Sequence, residues 1–314
     1  MRPRRESLED GCVFCSNAFL TAGHFDNLRY SGAAYDSGGA LIEQSQRQTD
    51  NHWKRIDPPT AKRPPLWSTN LGDTLYIGHF FPHFGHFLLE TLPELYWARL
   101  YRDHSISMHL WRDTNNAVDP EGIAAFVHSR DVLGLSRNRF QYIGSRPART
   151  AHLIAAKRGA PIEAKPSQFA PVVYREIADY SRRSGFDTPE KVYFSRRMFS
   201  ANRSTNEAEV EQVFADLGFA IVYPERLLFN EQVAMAANAK VLAGLNGSAM
   251  HLGVFMGSGT RQIIIGRRGW TLQKAIADQI GVSLDLADFA SALNDERTPS
   301  DVSGLIDWLR ENDV

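Results

Sequence analysis

The residues best suited to chemistry lie in one short run, His83-Phe-Gly-His86-Phe-Leu-Leu-Glu90-Thr-Leu-Pro-Glu94. On a helix, His83, His86 and Glu90 fall at i, i+3 and i+7, one stripe, with Phe87 beside them and Phe84, Leu88 and Leu95 left to pack elsewhere. A lone core histidine can be satisfied by a backbone carbonyl and do nothing more. Two histidines and a carboxylate on one stripe must instead pair, bind something or face a solvated cleft. Groups desolvated side by side are those whose proton affinities become tuned, so His86 or Glu90 can serve as a general base, with His83 beside them. The same three residues can alternatively be metal ligands of a hydrolase, because the spacing converges on one face. Pro93 lies inside the pattern, where a helix must kink or restart.

A second group suits an anion. Ser195-Arg196-Arg197 and Arg203 follow one apolar segment, Gly244-Leu-Asn246-Gly247-Ser248 follows another, and Gly266-Arg267-Arg268-Gly269 a third. A strand, a small-residue turn and a helix start present unpaired backbone N–H groups and the positive end of a helix dipole. Arginines at neighbouring strand ends add charge-assisted bonds. Taken alone, Gly244 and Gly247 can mean no more than tight packing; it is their convergence with basic residues that points to a phosphate. Glu225, or Glu231 next to Gln232, can accept two ribose hydroxyls or simply oppose a helix dipole. The chain contains no Gly-x-x-x-x-Gly-Lys-Ser/Thr loop, no Gly-x-Gly-x-x-Gly turn and no Asp-x-Asp pair. A P-loop nucleotidase, a standard dinucleotide fold and a metal-bridged diphosphate each lack their usual ligands.

These groups must be positioned by an α/β scaffold. From Gly11 to about Ile56 the text is polar and glycine-punctuated, which predicts β-hairpins. Prolines 58, 59, 64 and 65 form a connector, after which Thr74–Gly78 is expected to be a buried strand delivering the chain into the His83 run. Strands at 106–111, 140–143 and 153–156, with a helix over about 121–135, imply a parallel sheet. The second half alternates more clearly: strands at 192–195, 219–223, 241–244, 262–265 and 282–286, and helices at 206–217, 230–238, 248–255 and 270–280. Gly218 and Gly281 stop two of these helices, and Asn230 is expected to cap another. This is a doubly wound array, with ligands expected beyond the carboxyl ends of its strands. The domains are read as 1–165, an N-terminal α/β domain with a hairpin-rich start, and 166–314, a C-terminal Rossmann-like domain whose last helix, 301–310, can cross back onto the first half.

The 314 residues suffice for two domains, and 43% hydrophobic residues give both a core. With 35 Lys and Arg against 36 Asp and Glu the net charge is -1, so a nucleic-acid partner is not expected and any anion site must be local. The basic start lacks the apolar run of a signal peptide, and no window reaches the length of a membrane span. A cytoplasmic protein is expected, with room for a peripheral contact at an inner membrane. Cys12 and Cys15, the two cysteines, read as residues of a strand-like opening segment rather than as half a zinc site. Trp97, Tyr101 and Trp111 can stack on sugar rings or fill the core.

The ordered set Phe84-Gly-His-Phe-Leu-Leu-Glu-Thr-Leu-Pro93, Ser195-Arg-Arg with Arg203 and Asn206-Glu207, Gly218-Phe219, Pro224-Glu225, Phe229-x-Glu-Gln232 and Gly244-x-x-Gly-Ser-Ala249 resembles glycosyltransferase family 61 over residues 72–256. The resemblance implies a GT-B architecture, two Rossmann-like domains facing a cleft, and inverting transfer of a sugar from a nucleotide-sugar donor to a glycan or glycolipid acceptor, in bacterial surface polysaccharide or eukaryotic glycoprotein synthesis, of which the bacterial role is the expectation for this chain. On that reading the acceptor and base (His83, His86, Glu90) belong to the first domain. The donor belongs to the second, held by Arg196, Arg197, Arg203, Glu231, Gln232, Asn246, Gly247, Ser248 and Arg267, with no cofactor or metal. The family usually has His where this chain has Asn246, and Asn cannot act as a base. That departure keeps a non-catalytic sugar-nucleotide-binding module among the readings.

Overall fold

The computed structural model describes residues 12–26, 29–46, 54–55, 57–110, 119–157, 169–198, 206–266, 271–289 and 301–314. The chain divides into two compact units, Met1–Val173 and Tyr174–Val314. The boundary expected at 165/166 lies outside the described residues, as do Trp111, Arg203 and Arg267.

The first unit is built on five strands: β1 (Val13–Ser16), β2 (Asp73–Phe80), β3 (Ser105–Leu110), β4 (Phe140–Ile143) and β5 (His152–Ala155). Their order is β1-β5-β2-β3-β4, with β5, β2, β3 and β4 mutually parallel and β1 antiparallel on the edge. Every residue of β2 from Thr74 to Phe80 is buried, the pattern of a parallel strand covered on both faces. The chain steps from β2 to β3 and β4 on one side, then returns to place β5 on the other. That reversal leaves a crevice beyond the carboxyl ends of β2 and β5.

A bulge interrupts β2. Tyr76 pairs with Ser107 and His79 with His109, three steps against two. Gly78, at φ 93°, supplies the left-handed backbone that this extra residue needs. Because side chains alternate along a strand, the insertion turns His79 onto the face that Tyr76 and His109 occupy. The hairpin-rich start forms a short sheet in the order Ala34–Tyr35, Phe19–Leu20, Ala148–Arg149, Thr69–Asn70. Its residues Leu20, Ala34 and Ala148 share a core with Tyr76, Ile143 and Leu153 of the larger sheet. Helices α1 (Leu95–Leu100) and α2 (Ala124–Val132) follow β2 and β3, and α3 (Ala170–Arg182) follows the last strand of this unit. Trp97 of α1 is buried and donates its indole N–H to the Lys157 carbonyl at 2.7 Å.

The second unit contains β6 (Lys191–Phe194), β7 (Ala220–Val222), β8 (Val241–Leu245), β9 (Arg261–Ile265) and β10 (Ser283–Ala287), all parallel, in the order β7-β6-β8-β9-β10. Helices α4 (Glu207–Asp216), α5 (Phe229–Asn238), α6 (Thr271–Ile280) and α7 (Val302–Glu311) complete it, with a 3₁₀ helix at Ser248–Phe255 where an α-helix was expected. The strand order reverses between β6 and β8, so the crevice lies beyond Phe194 and Leu245. Gly218, at φ 80°, ends α4: it donates to Ala215, and Phe219 donates to Phe214, the bond pair of a Schellman motif.

One expectation is corrected. Helix α5 begins at Phe229 after Leu228 and is not capped by Asn230; Glu231 reaches back to take the Leu228 N–H at 2.7 Å, satisfying the helix start from inside. Helix α7 lays Leu305 and Leu309 into the core of Tyr193, Phe214, Ile263 and Ala287.

Candidate active site

In the first unit, β2 runs through Phe81 and Pro82 into a helical run whose pitch changes three times. An α-turn over Phe84–His86 gives way to a π-turn over Phe87–Thr91, then a 3₁₀ turn over Leu92–Glu94, then α1. The restart expected at Pro93 takes this form: proline has no N–H to donate into the turn before it, and the chain changes pitch there without breaking. π-turns inside helices are frequent at functional sites.

The π-turn buries Glu90 and leaves His86 partly exposed, with side-chain exposures of 2% and 40%; His86 Nδ1 lies 2.5 Å from Glu90 Oε1. A carboxylate oxygen only accepts, so Nδ1–H is the donor and Nε2 of a neutral His86 carries the lone pair. His83, exposed at the start of the run, presents its ring edge-on to His86 with centroids 5.5 Å apart. Its pKa is lowered, first by desolvation and then by the neighbouring His86. Thr91 fastens the turn to the strand end: its Oγ1 accepts the Phe81 N–H at 2.9 Å and donates to the His79 carbonyl at 3.4 Å.

Behind this turn stands a buried arrangement that sequence reasoning missed. The rings of His79 and His109 stack with centroids 5.3 Å apart. His109 Nε2 donates to the Thr21 carbonyl at 2.8 Å, which leaves Nδ1 to accept from the Tyr76 hydroxyl at 2.7 Å. Burial lowers the His109 pKa to about 4, so the ring is neutral near pH 7. The available signal was a histidine near the carboxyl end of each of two adjacent strands; the bulge that makes them face one another is not visible in the residue pattern.

In the second unit, the groups meet at the β6/β8 reversal. Ser195 Oγ donates to Glu211 Oε1 at 2.6 Å and accepts the Arg197 N–H at 3.0 Å. Arg197 Nε lies 3.2 Å from Glu211 Oε2, and its Nη2 donates to the Tyr223 hydroxyl, after β7, at 2.9 Å. These contacts raise the Arg197 pKa, the Tyr223 hydrogen bond first. The Arg196 N–H donates to Glu207 Oε1 at 2.7 Å, and Arg196 Nη1 to the Asn246 carbonyl, also at 2.7 Å. A Cβ on Gly247 would stand 2.5 Å from that Nη1, so this glycine makes room for the guanidinium. Desolvation raises the Glu207 pKa, against the opposing effect of the Arg196 N–H.

Ser248 opens the 3₁₀ helix directly after Gly247, and the first helical bond is made by Met250 N–H to the Gly247 carbonyl at 2.9 Å. The amides of Ser248 and Ala249 precede that bond, as the first donors of any helix do. Glu231 is engaged at the start of α5, and Gln232 Nε2 donates to the carbonyls of Pro224 and Leu227 at 2.9 and 3.1 Å. The structure therefore brings Arg196, Arg197, Asn246, Gly247 and Ser248 together, and gives Glu231 and Gln232 bonds within their own loop and helix. Glu207 and Glu211, one turn apart on the buried face of α4, are the counter-charges that the sequence reading did not assign.

The first constellation has the parts of an oriented general base, and the second those of an anion site. His86 and Glu90 pair with each other, and among the described residues no three His, Cys, Asp or Glu side chains are grouped to hold an ion. A family model described as Glycosyltransferase 61 matches residues 84–263, more than half of the 314-residue chain, a span that includes His86, Glu90, Arg196, Arg197, Asn246, Gly247 and Ser248. No curated protein matches the chain.

Proposed function

This chain belongs to glycosyltransferase family 61, and on that premise we propose that it moves a sugar, with inversion, from a nucleotide-sugar donor to a hydroxyl of a glycan or glycolipid acceptor. The observation that carries the reading is the His86–Glu90 pair, one partner buried and the other reaching solvent. His86 Nε2 takes the acceptor hydroxyl proton as that oxygen forms its bond to the anomeric carbon and the bond to the nucleoside diphosphate breaks. Glu90 fixes the ring's tautomer and stabilises the imidazolium that results, the role a carboxylate plays behind any catalytic histidine. Arg197, with guanidinium donors beyond the two engaged by Glu211 and Tyr223, and the amides of Ser248 and Ala249 receive the leaving diphosphate without a metal.

The donor is thus assigned to the second unit and the acceptor and base to the first, in the manner of a GT-B enzyme. The Asn246 side chain takes no part in proton transfer on this reading, and the Asn246 main-chain carbonyl holds Arg196. The family resemblance supports a place in bacterial surface polysaccharide synthesis, at the cytoplasmic side of the inner membrane; among the described residues no helix is long and apolar enough to cross a membrane.

The test is His86→Ala, assayed against a panel of sugar nucleotides and acceptors beside a direct measurement of nucleotide binding. Transfer is expected to vanish while binding persists. Undiminished turnover removes His86 as the base. Wild-type protein that binds a sugar nucleotide but neither transfers nor hydrolyses it over a broad acceptor panel is a binding module instead.

A further inference from the structure

The two most exposed large apolar side chains among the described residues are chain neighbours. Leu66 is 84% and Trp67 86% exposed, ahead of Leu228 at 69%. They occupy the two corners of a β-turn closed by the Ser68 N–H on the Pro65 carbonyl at 3.0 Å. Pro64 and Pro65 lead into it, and their fixed φ angles stiffen the approach, so the tip has little freedom to fold its side chains back. Lys62 and Arg63, both exposed, precede the prolines. From Pro58 to Asn70 these two cations are the only charged residues. The turn leads through Thr69–Asn70 into the amino end of β2, whereas the His86–Glu90 pair follows the carboxyl end of that strand.

We propose that this turn docks the protein on an anionic lipid bilayer. Trp67 sits at headgroup level, Leu66 enters the acyl boundary, and Lys62 and Arg63 meet the headgroup phosphates. Two considerations select a bilayer over a protein partner. Leu66 and Trp67 together offer only a few hundred Å², short of the roughly 800 Å² that each side gives to a stable protein interface. A bilayer asks instead for a protruding tip with an apolar end and basic shoulders, which is the order of residues here. One such anchor gives reversible attachment. The inference does not rest on the assigned reaction.

The experiment is co-sedimentation of the full chain with phosphatidylcholine vesicles, with and without phosphatidylglycerol, at low salt. Wild type is expected to bind the anionic vesicles and to be released by salt. Leu66→Ser with Trp67→Ser is expected to weaken binding at least tenfold, a few buried CH₂ equivalents. Lys62→Ser with Arg63→Ser is expected to cost roughly 25-fold on anionic vesicles, about fivefold per cation, with little change on neutral ones. Trp67→Phe should abolish the vesicle-induced blue shift of tryptophan emission. All these positions are exposed, so an unchanged melting temperature certifies the fold of each variant. No binding by wild type, or equal binding by the Leu66/Trp67 variant, overturns the proposal. So does a wild-type dimer that the same variant dissolves, which would give the turn to a second copy of the chain.

Discussion

The two candidate sites are built on opposite plans. In the first unit the proposed base and its carboxylate come from five consecutive residues, and one turn of helix sets their distance. In the second, the groups come from the ends of β6, β7 and β8 and from the buried face of α4, and Glu207 and Glu211 answer Arg196 and Arg197. A proton-transfer pair needs one fixed short distance, which a single helical turn can supply. A diphosphate needs positive groups converging from several directions, and those must be held in place by counter-charges before a ligand arrives, because like charges gathered in a crevice repel. The first plan concentrates function in one peptide; the second spreads it over a sheet edge.

Three measurements sharpen or break that contrast. The largest effect is expected from Glu90→Gln, which leaves the shape but removes the carboxylate that orients His86: kcat should fall about 10²–10⁴-fold with donor Kd unchanged. A comparable loss of donor affinity would mean that the first site also binds the nucleotide. Arg197→Ala should raise donor Kd about tenfold to a hundredfold, the value of charge-assisted hydrogen bonds, and should also lower kcat, because the same guanidinium receives the leaving diphosphate. A collapse of kcat with unchanged Kd would erase the division of labour.

The smallest effect concerns stability and pH. Burial holds His109 at about 4 against 6.5 in the unfolded chain, so below pH 6.5 the unfolded state takes up a proton that the native ring refuses. Stability present above pH 6.5 is therefore lost as pH falls toward 4, by about 2 kcal/mol at pH 5. Glu207 in the second unit is raised and contributes with the opposite sign: its stability is present below the unfolded carboxylate value and is lost as pH rises through the folded one. Acidification should weaken the first unit relative to the second. Hydrogen exchange at pH 7 and 5, corrected for intrinsic rates, reads this on peptides covering 105–110 and 191–194. Equal loss of protection in both would remove the distinction, and His109→Gln should flatten the first unit's response.

Much of the scaffold was legible in the residues because its causes are local. Hydrophobic runs of strand length alternating with helical periodicity predicted all five strands of the second sheet within a residue or two, and Gly218 and Gly281, at φ 80° and 78°, ended their helices because a left-handed residue costs glycine little. The spacing of His86 and Glu90 likewise put them within one helical turn of each other.

What the sequence by itself determined, then, was whatever neighbours along the chain decide: element type, helix ends, the alternation of strand and helix, and the concentration of protonatable groups after β2. Only the tertiary structure decided which groups meet across long separations. The bulge at Gly78 faces His79 to His109, a partner on another strand whose register no local pattern encodes. The burial of Glu207 and Glu211 under the arginines depends on how α4 lies against the strand ends. The seat of α7 in the second core was set by which apolar surface remained to be covered. The exposure of Leu66 and Trp67, in the proline-rich connector, is likewise a property of the packed chain. Burial and register are properties of the packed whole, because each is fixed by contacts between segments that periodicity describes only one at a time.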